Sequence, residues 1–237
     1  MPMGFTREQL RRRYDVSGFS EDPWHEYCGE QTRNIVSRAL SQRSSRSNLI
    51  LNAGSGVYRI EQPDWDEICV DLFDAPLANH TNAVRASVEA LPFGERTFSA
   101  VVCVGEVLGY CDPQLAFKEF ARVLESKGTL VCDFGNSLSF RYKMRPCHGR
   151  EADIVTDEYN GTEERVWIYN PHFIKRLLES SGFTIHLQYG THTWSAAASR
   201  LGFSKTRSTL VQRSLKWAPF PRRWADVCTI VAEKTSA

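Results

Sequence analysis

Short apolar runs rich in Val, Ile, Leu and Cys alternate with helix-periodic segments along most of this chain. That alternation calls for a mostly parallel sheet with helices laid on its faces. Strands are expected at Asn48–Ala53, Glu67–Leu72, Ala83–Ser87, Ala100–Val104, Thr129–Phe134, Thr184–Tyr189 and Asp226–Ala232. The clearest helix is Pro113–Leu124, where Leu115, Phe117, Phe120, Ala121 and Leu124 recur at helical spacing and Lys118, Glu119 and Arg122 take the wet side. A second, Asn170–Ser181, carries the stripe Phe173, Ile174, Leu177 and Leu178 and stops at Gly182, a natural residue for a helix end. The segment before Ser47 reads as one or two helices, including Trp24–Leu40. The expected fold class is therefore α/β, a mostly parallel seven-stranded sheet with helices on both faces and an N-terminal helical cap.

In domain terms, residues 1–47 form the cap, joined through the linker-like Ser41–Ser47 to one domain over 48–237. That single domain suits a chain of 237 residues. Two stretches exceed what a bare α/β core needs, at about 136–169 and 191–224. Both follow strand ends and are rich in aromatics and Arg. Ligands of open α/β sheets bind outside the carboxyl ends of the strands, so insertions there are placed to shape a pocket. The second stretch has no Asp or Glu between Thr191 and Trp224, but has Arg200, Lys205, Arg207, Arg213, Lys216, Arg222 and Arg223.

Several classes drop out on composition. A net charge of +1 gives no whole-molecule footprint for nucleic acid. The seven cysteines are odd in number and include no CxxC pair or zinc-type spacing, so no metal is expected. Cys69, Cys103, Cys132 and Cys228 sit inside strand-like runs as small hydrophobes, which suits a reducing, cytoplasmic setting. Met1–Arg13 lacks the apolar core of a signal peptide, and no stretch approaches the roughly 18 apolar residues of a membrane span.

Chemistry concentrates first at Leu49-Ile50-Leu51-Asn52-Ala53-Gly54-Ser55-Gly56. An apolar strand ending in Gly-x-Gly lets backbone approach a ligand where a Cβ would collide. Taken alone, the same pattern serves any tight turn between a strand and a helix. The third glycine of the dinucleotide fingerprint is absent, with Tyr58 and Ile60 in its region, which disfavours NAD. In Ile68-Cys69-Val70-Asp71-Leu72, a lone acid closes the next strand, placed to accept both hydroxyls of a ribose. Without the glycine turn, a helix-capping Asp would explain it as well.

A third stretch narrows the choice. Ser87-Val88-Glu89-Ala90-Leu91-Pro92-Phe93 leads to Phe98 and the strand Ala100–Val104, then to Glu119-Phe120-Ala121-Arg122-Val123-Leu124 and Gly128. From roughly Asn48 to Phe134 the chain resembles the class I S-adenosylmethionine-dependent methyltransferases. Their usual run is an acid-containing turn, LPF, a Phe before strand four, and an E-x-x-R-V-L helix ending in K-P-G-G. The opening Leu-Asn-Ala-Gly-Ser-Gly looks most like a branch with a short first crossover. The resemblance implies S-adenosylmethionine as cofactor and in-line methyl transfer to a small-molecule or glycan-like acceptor. It implies that Asn52, Ala53, Gly54 and Gly56 shape the cofactor loop while Asp71, with Leu72, holds the ribose. Ser87 and Val88 would read the adenine, and Gly105 and Glu106 would border the sulfonium. Independently of the resemblance, Tyr14, Trp24 and Tyr27 of the cap could close over the cofactor, since aromatic faces attract a sulfonium, or could staple the cap to the sheet.

Three positions depart from the family pattern. Asn52 replaces the usual acid of the first motif, Ser87 the common adenine-contacting Asp, and Ser99 the Asp after Phe98. A methyltransferase-fold protein that binds the cofactor or a partner without methyl transfer is therefore a second reading. A nucleic-acid methyltransferase is a third; the near-neutral charge and Gly105-Glu106-Val107-Leu108 after strand four, in place of an Asn/Asp-Pro-Pro-Tyr run, argue against it. Proton-transfer candidates are His192, His148 and His172, in or beside the insertions, although most such imidazoles are structural. Either insertion could instead cover the sheet or join two copies in a homodimer.

Overall fold

The computed structural model describes residues 23–41, 48–78, 80–159, 162–215 and 222–236. The strands are β1 (Leu49–Ala53), β2 (Asp66–Asp71), β3 (Ala83–Arg85), β4 (Phe98–Cys103), β5 (Leu124–Gly135), β6 (Ala152–Tyr159), β7 (Thr162–Tyr169), β8 (Phe183–Thr191) and β9 (Val227–Lys234). Seven form one sheet in the order β3-β2-β1-β4-β5-β9-β8. β1 to β5 run parallel, and β9 is antiparallel to both its neighbours. All seven strands expected from sequence are present.

The helices are α1 (Pro23–Ser41), α2 (Asp74–Leu77), α3 (Pro113–Val123), α4 (Pro171–Ser180), α5 (Thr193–Arg200) and α6 (Lys205–Ser214). Their starts are written locally. Asp112 accepts from the Gln114 amide with Pro113 at the first helical position, and Asn170 and Pro171 repeat the device for α4. Gly182, with φ +86°, ends α4 as expected.

Consecutive strand residues face opposite sides of the sheet, and two cores follow from this. On one face Leu51, Val101, Cys103 and Leu130 meet Phe117 and Phe120 of α3 and Ile174 and Leu178 of α4. On the other, Ile50, Ala100, Val102 and Val131 meet Ile35, Val36 and Leu40 of α1. No helix lies between β1 and β2: residues 54–65 return as an irregular crossover whose Tyr58, Ile60 and Trp65 join the α1 core. Most parallel pairs bury that face with the crossover's own helix. Here α1, from before the sheet, covers it.

Both insertions contain elements that apolar periodicity does not reveal. Residues 136–169 carry a 3-10 turn at Phe140–Tyr142 and the β6–β7 hairpin, with a small core of Tyr142, Cys147, Val155, Val166 and Ile168. Within 191–224 the described residues form α5, α6 and a 3-10 turn at Arg222–Trp224. The buried side of α6 is Ser208, Thr209 and Gln212, so it shows no hydrophobic stripe. Lys216, Trp217 and Phe220, most of the Ser41–Ser47 linker and Tyr14 lie outside the described residues.

Candidate cofactor and acceptor site

Because β1 to β4 are parallel, their last residues open onto one edge, and Gly54, Asp71, Ser87 and Gly105 all stand there. Gly54 and Gly56 have φ of +72° and +53°, the region that favours glycine. At Gly54 a further reason is visible: an added Cβ would lie 2.6 Å from both Val107 methyls. The close approach is thus first to the turn after β4.

Every amide of this turn is occupied within the protein. Gly54 and Ser55 donate to the Val70 carbonyl at 2.7 and 2.9 Å, and Gly56 donates to Asp71 Oδ2 at 3.0 Å. Asp71 Oδ1 accepts from Phe73 N at 3.1 Å. A dinucleotide pyrophosphate needs free N–H donors at a helix start. This loop has neither the helix nor the donors. What it presents is an acceptor, since each Asp71 oxygen keeps a further lone pair after one backbone bond. Asp71 is buried, and that burial raises its carboxyl above the usual range against the pull of Phe73 and Gly56. His80 closes the loop from the side, with Nε2 2.9 Å from the Gly56 carbonyl and Nδ1 3.1 Å from the Cys69 thiol. The carbonyl can only accept, so Nε2 donates to it, while the Cys69 thiol also lies 3.5 Å from Glu67 Oε1.

Asn52 sits at the end of β1 but its amide turns into the crossover, donating to Tyr58 O at 2.9 Å and Glu67 Oε1 at 2.7 Å. An acid there would face the Glu67 carboxylate, which accounts for Asn in place of the family's usual acid. Ala53 is fully buried and Leu72 half-buried beside Asp71. Val88 belongs to the core, while Ser87 Oγ accepts from Glu89 N at 3.2 Å and holds the turn after β3. The E-x-x-R motif is a clamp on that same connection. Glu119 accepts from Leu91 N, and Arg122 donates to the carbonyls of Phe93 and Leu91 at 2.7 and 2.9 Å while pairing with Glu119.

Beyond β4, Gly105 is exposed, and a Cβ added there would meet nothing within 4 Å. Glu106 adopts a left-handed conformation, φ +60°, with its carboxylate beside Gly135. Both residues are pinned by Asp133, which accepts from Gly105 N at 3.1 Å and Glu106 N at 2.7 Å. Burial pushes the Asp133 carboxyl up to about 6 although both amides pull it down. Sequence reasoning passed over Asp133; its signal is a lone acid inside the apolar run Thr129–Phe134. Cys28 of α1 has its thiol pushed up by burial first and then by the Asp133 and Glu106 carboxylates.

The three histidines occupy different elements. His192 is fully buried at the start of α5, stacked on Trp24 at 4.0 Å, with Nδ1 2.8 Å from Ser195 Oγ. His148 lies half-buried in the turn before β6, and His172 is exposed in the first turn of α4. The hairpin rests on the turn after β4: Tyr169 donates to Leu108 O at 3.0 Å and Tyr110 to Glu164 at 2.8 Å. A hollow of about 320 Å³ under the crossover is lined by Arg59, Trp65, Glu67, Asn82, Cys69 and His80, and none of Gly54, Asp71, Ser87 and Gly105 lines it.

Residues 52–132 match the family model of the methyltransferase domain. That stretch is similar to the methyltransferase domain over about a third of the chain, and the seven-stranded sheet around it has the fold of solved class I methyltransferases. That fold recurs in a Listeria monocytogenes protein assigned to the S-adenosylmethionine dependent methyltransferases, at 11% identity and TM-score 0.63, covering 89% of this chain and 100% of that one. It recurs also in the Burkholderia thailandensis 1,6-didemethyltoxoflavin-N1-methyltransferase, solved with its substrate and S-adenosylhomocysteine, at 16% identity and TM-score 0.60, covering 97% and 87%. The [4+2]-cyclase SpnF shares the fold at 14% identity and TM-score 0.62, covering 100% and 99%. No curated protein matches the chain. Among the described residues no helix is long and apolar enough to cross a membrane, and no cluster of His, Cys, Asp and Glu could hold a metal ion. All seven cysteines are free.

Proposed function

We propose that the domain transfers the methyl group of S-adenosylmethionine to a small-molecule or glycan-like acceptor by in-line displacement. The observation that carries this reading is the glycine turn: its donors are all taken by Val70 and Asp71, and it offers a ribose an acceptor instead of offering a phosphate a donor. That suits a cofactor with hydroxyls and no phosphate. The cofactor, when bound, supplies an electrophilic methyl on a sulfonium.

In this reading the protein's part is positioning. Asp71 accepts the ribose hydroxyls, Ser87 and Val88 border the adenine, and Gly105 and Glu106, held by Asp133, flank the methyl. The β6–β7 hairpin and the α5–α6 pair roof the acceptor side. Their packing on the turn after β4 and on Trp24 of α1 favours an enclosed small acceptor over a nucleic acid. Alignment of nucleophile and methyl in a dry pocket contributes much of the acceleration for such a displacement. His192, which caps α5, is fully buried, and His172 is exposed.

Calorimetry tests the reading. S-adenosylmethionine and S-adenosylhomocysteine should bind saturably and NAD should not compete. Incubation with pooled hydroxylated and amine-bearing metabolites should release S-adenosylhomocysteine. Saturable NAD binding without either sulfur nucleoside would refute the cofactor assignment; cofactor binding with no turnover on any acceptor would favour the non-catalytic alternative.

A further inference from the structure

Eight large apolar side chains are exposed among the described residues, and four of them, Leu201, Phe203, Leu210 and Leu215, lie on α5–α6 and the turn between them. A fifth, Met144, is the most exposed at 87%, and Arg200 Nη2 reaches its sulfur at 3.4 Å. The inner side of α6 is settled by Ser208, Thr209 and Gln212, and Gln212 Oε1 accepts from the Trp194 and Ser195 amides at the start of α5. Arg213 turns to α1, against Glu30 and over Tyr27. The opposite side of α6 therefore presents Arg207 and Leu210, continuous with Phe203, Leu201 and Arg200.

One exposed leucine needs no explanation. Leucines and a phenylalanine interleaved with arginines, in a stretch without any acidic residue, do need one. A nucleic acid would use stacking aromatics, and among the described residues of this stretch Phe203 is the only large apolar aromatic that is exposed. We propose that the outer face of α5 and α6 docks the protein on an anionic phospholipid surface. Leu201, Phe203 and Leu210 enter the boundary between headgroups and acyl chains, while Arg200 and Arg207 keep their guanidinium groups among the phosphates. α5 leaves from the end of β8 at the same edge as the cofactor loop, so docking turns that edge toward the bilayer.

The test is flotation of the full chain with vesicles of phosphatidylcholine alone or with about one third phosphatidylserine, at low and raised salt. The protein should float with the anionic vesicles, much less with neutral ones, and less again as salt rises. Phe203→Glu with Leu210→Glu should lower the bound fraction about tenfold at unchanged cofactor affinity and melting temperature. Should that pair fail to fold, Arg200→Glu with Arg207→Glu, both exposed, carries the same test. The proposal is overturned by absence of flotation with anionic vesicles, or by flotation undiminished in the folded variants. Self-association without lipid that is lost in the same variants also overturns it, as does binding to an acidic polypeptide with none to vesicles. Cofactor binding is read separately, so either reading can fail alone.

Discussion

Asp71 holds backbone before any ligand arrives, and this changes what its removal should do. Asp71→Ala should weaken S-adenosylmethionine binding by about 1.5–3 kcal/mol, the scale of bonds to a charged group, and should also cost about 1–3 kcal/mol of stability because the Gly56 and Phe73 amides lose their acceptor. Calorimetry and denaturant titration separate the two; unchanged affinity would make Asp71 a purely structural residue. Asp133 leaves a signature in pH. Its folded-state value, about 6 against an ordinary 3.8, means that the folded protein holds an extra proton between those limits. The sign is opposite to that of a salt-bridged acid. The contribution is full at low pH and is lost as pH rises from about 4 through 6, by on the order of 3 kcal/mol at most. Stability profiles of the wild type and Asp133→Asn should diverge across that window and run parallel above it. Asn52 is decided by its neighbour: Asn52→Asp sets a carboxylate against Glu67 and should lower the melting temperature at neutral pH, with relief on acidification.

At the scale of elements, turns are held by side chains reaching across the fold. The glycine turn and the turn after β4 interlock at Gly54 and Val107. Gly54→Ala should destabilise by roughly 1–3 kcal/mol, combining a positive φ with overpacking. Adding Val107→Ala should recover the overpacking part only, a non-additivity that a double-mutant cycle on denaturant midpoints reads directly. α3 and α4 were legible because their apolar stripes, caps and terminators agree. α6 was not, since Ser208, Thr209 and Gln212 are its buried face and a polar residue reads as wet until its partner is known. The β6–β7 hairpin was missed for a related reason: its strands mix charged and apolar residues, and Val155, Val166 and Ile168 pack in a small local core rather than on the main one.

For the whole molecule, the crossover from β1 to β2 is short, as expected from the sequence, and has no helix; its consequence is a sheet face left for another element to cover. α1 supplies Ile35, Val36 and Leu40 to the face that such a helix would bury. Leu40→Ala should therefore behave as a core truncation, costing about 2–5 kcal/mol, and deletion of residues 1–41 should leave a chain that aggregates or binds a hydrophobic dye. A deletion that melts cooperatively near the wild-type temperature would show that the cap is dispensable. Sequence alone determined the seven strands, the amphipathic helices α3 and α4, the glycine turn and the lone acid after it, because each is written in local periodicity or in a residue with one conformational use. Tertiary structure decided the rest. Asn52 became a brace, His80 a latch on the glycine turn and Asp133 a pin for the turn after β4, and the E-x-x-R motif became a clamp. The physical reason is the same throughout: a polar side chain's role is set by the donor or acceptor brought against it from elsewhere in the chain, and one-dimensional order carries no record of that partner.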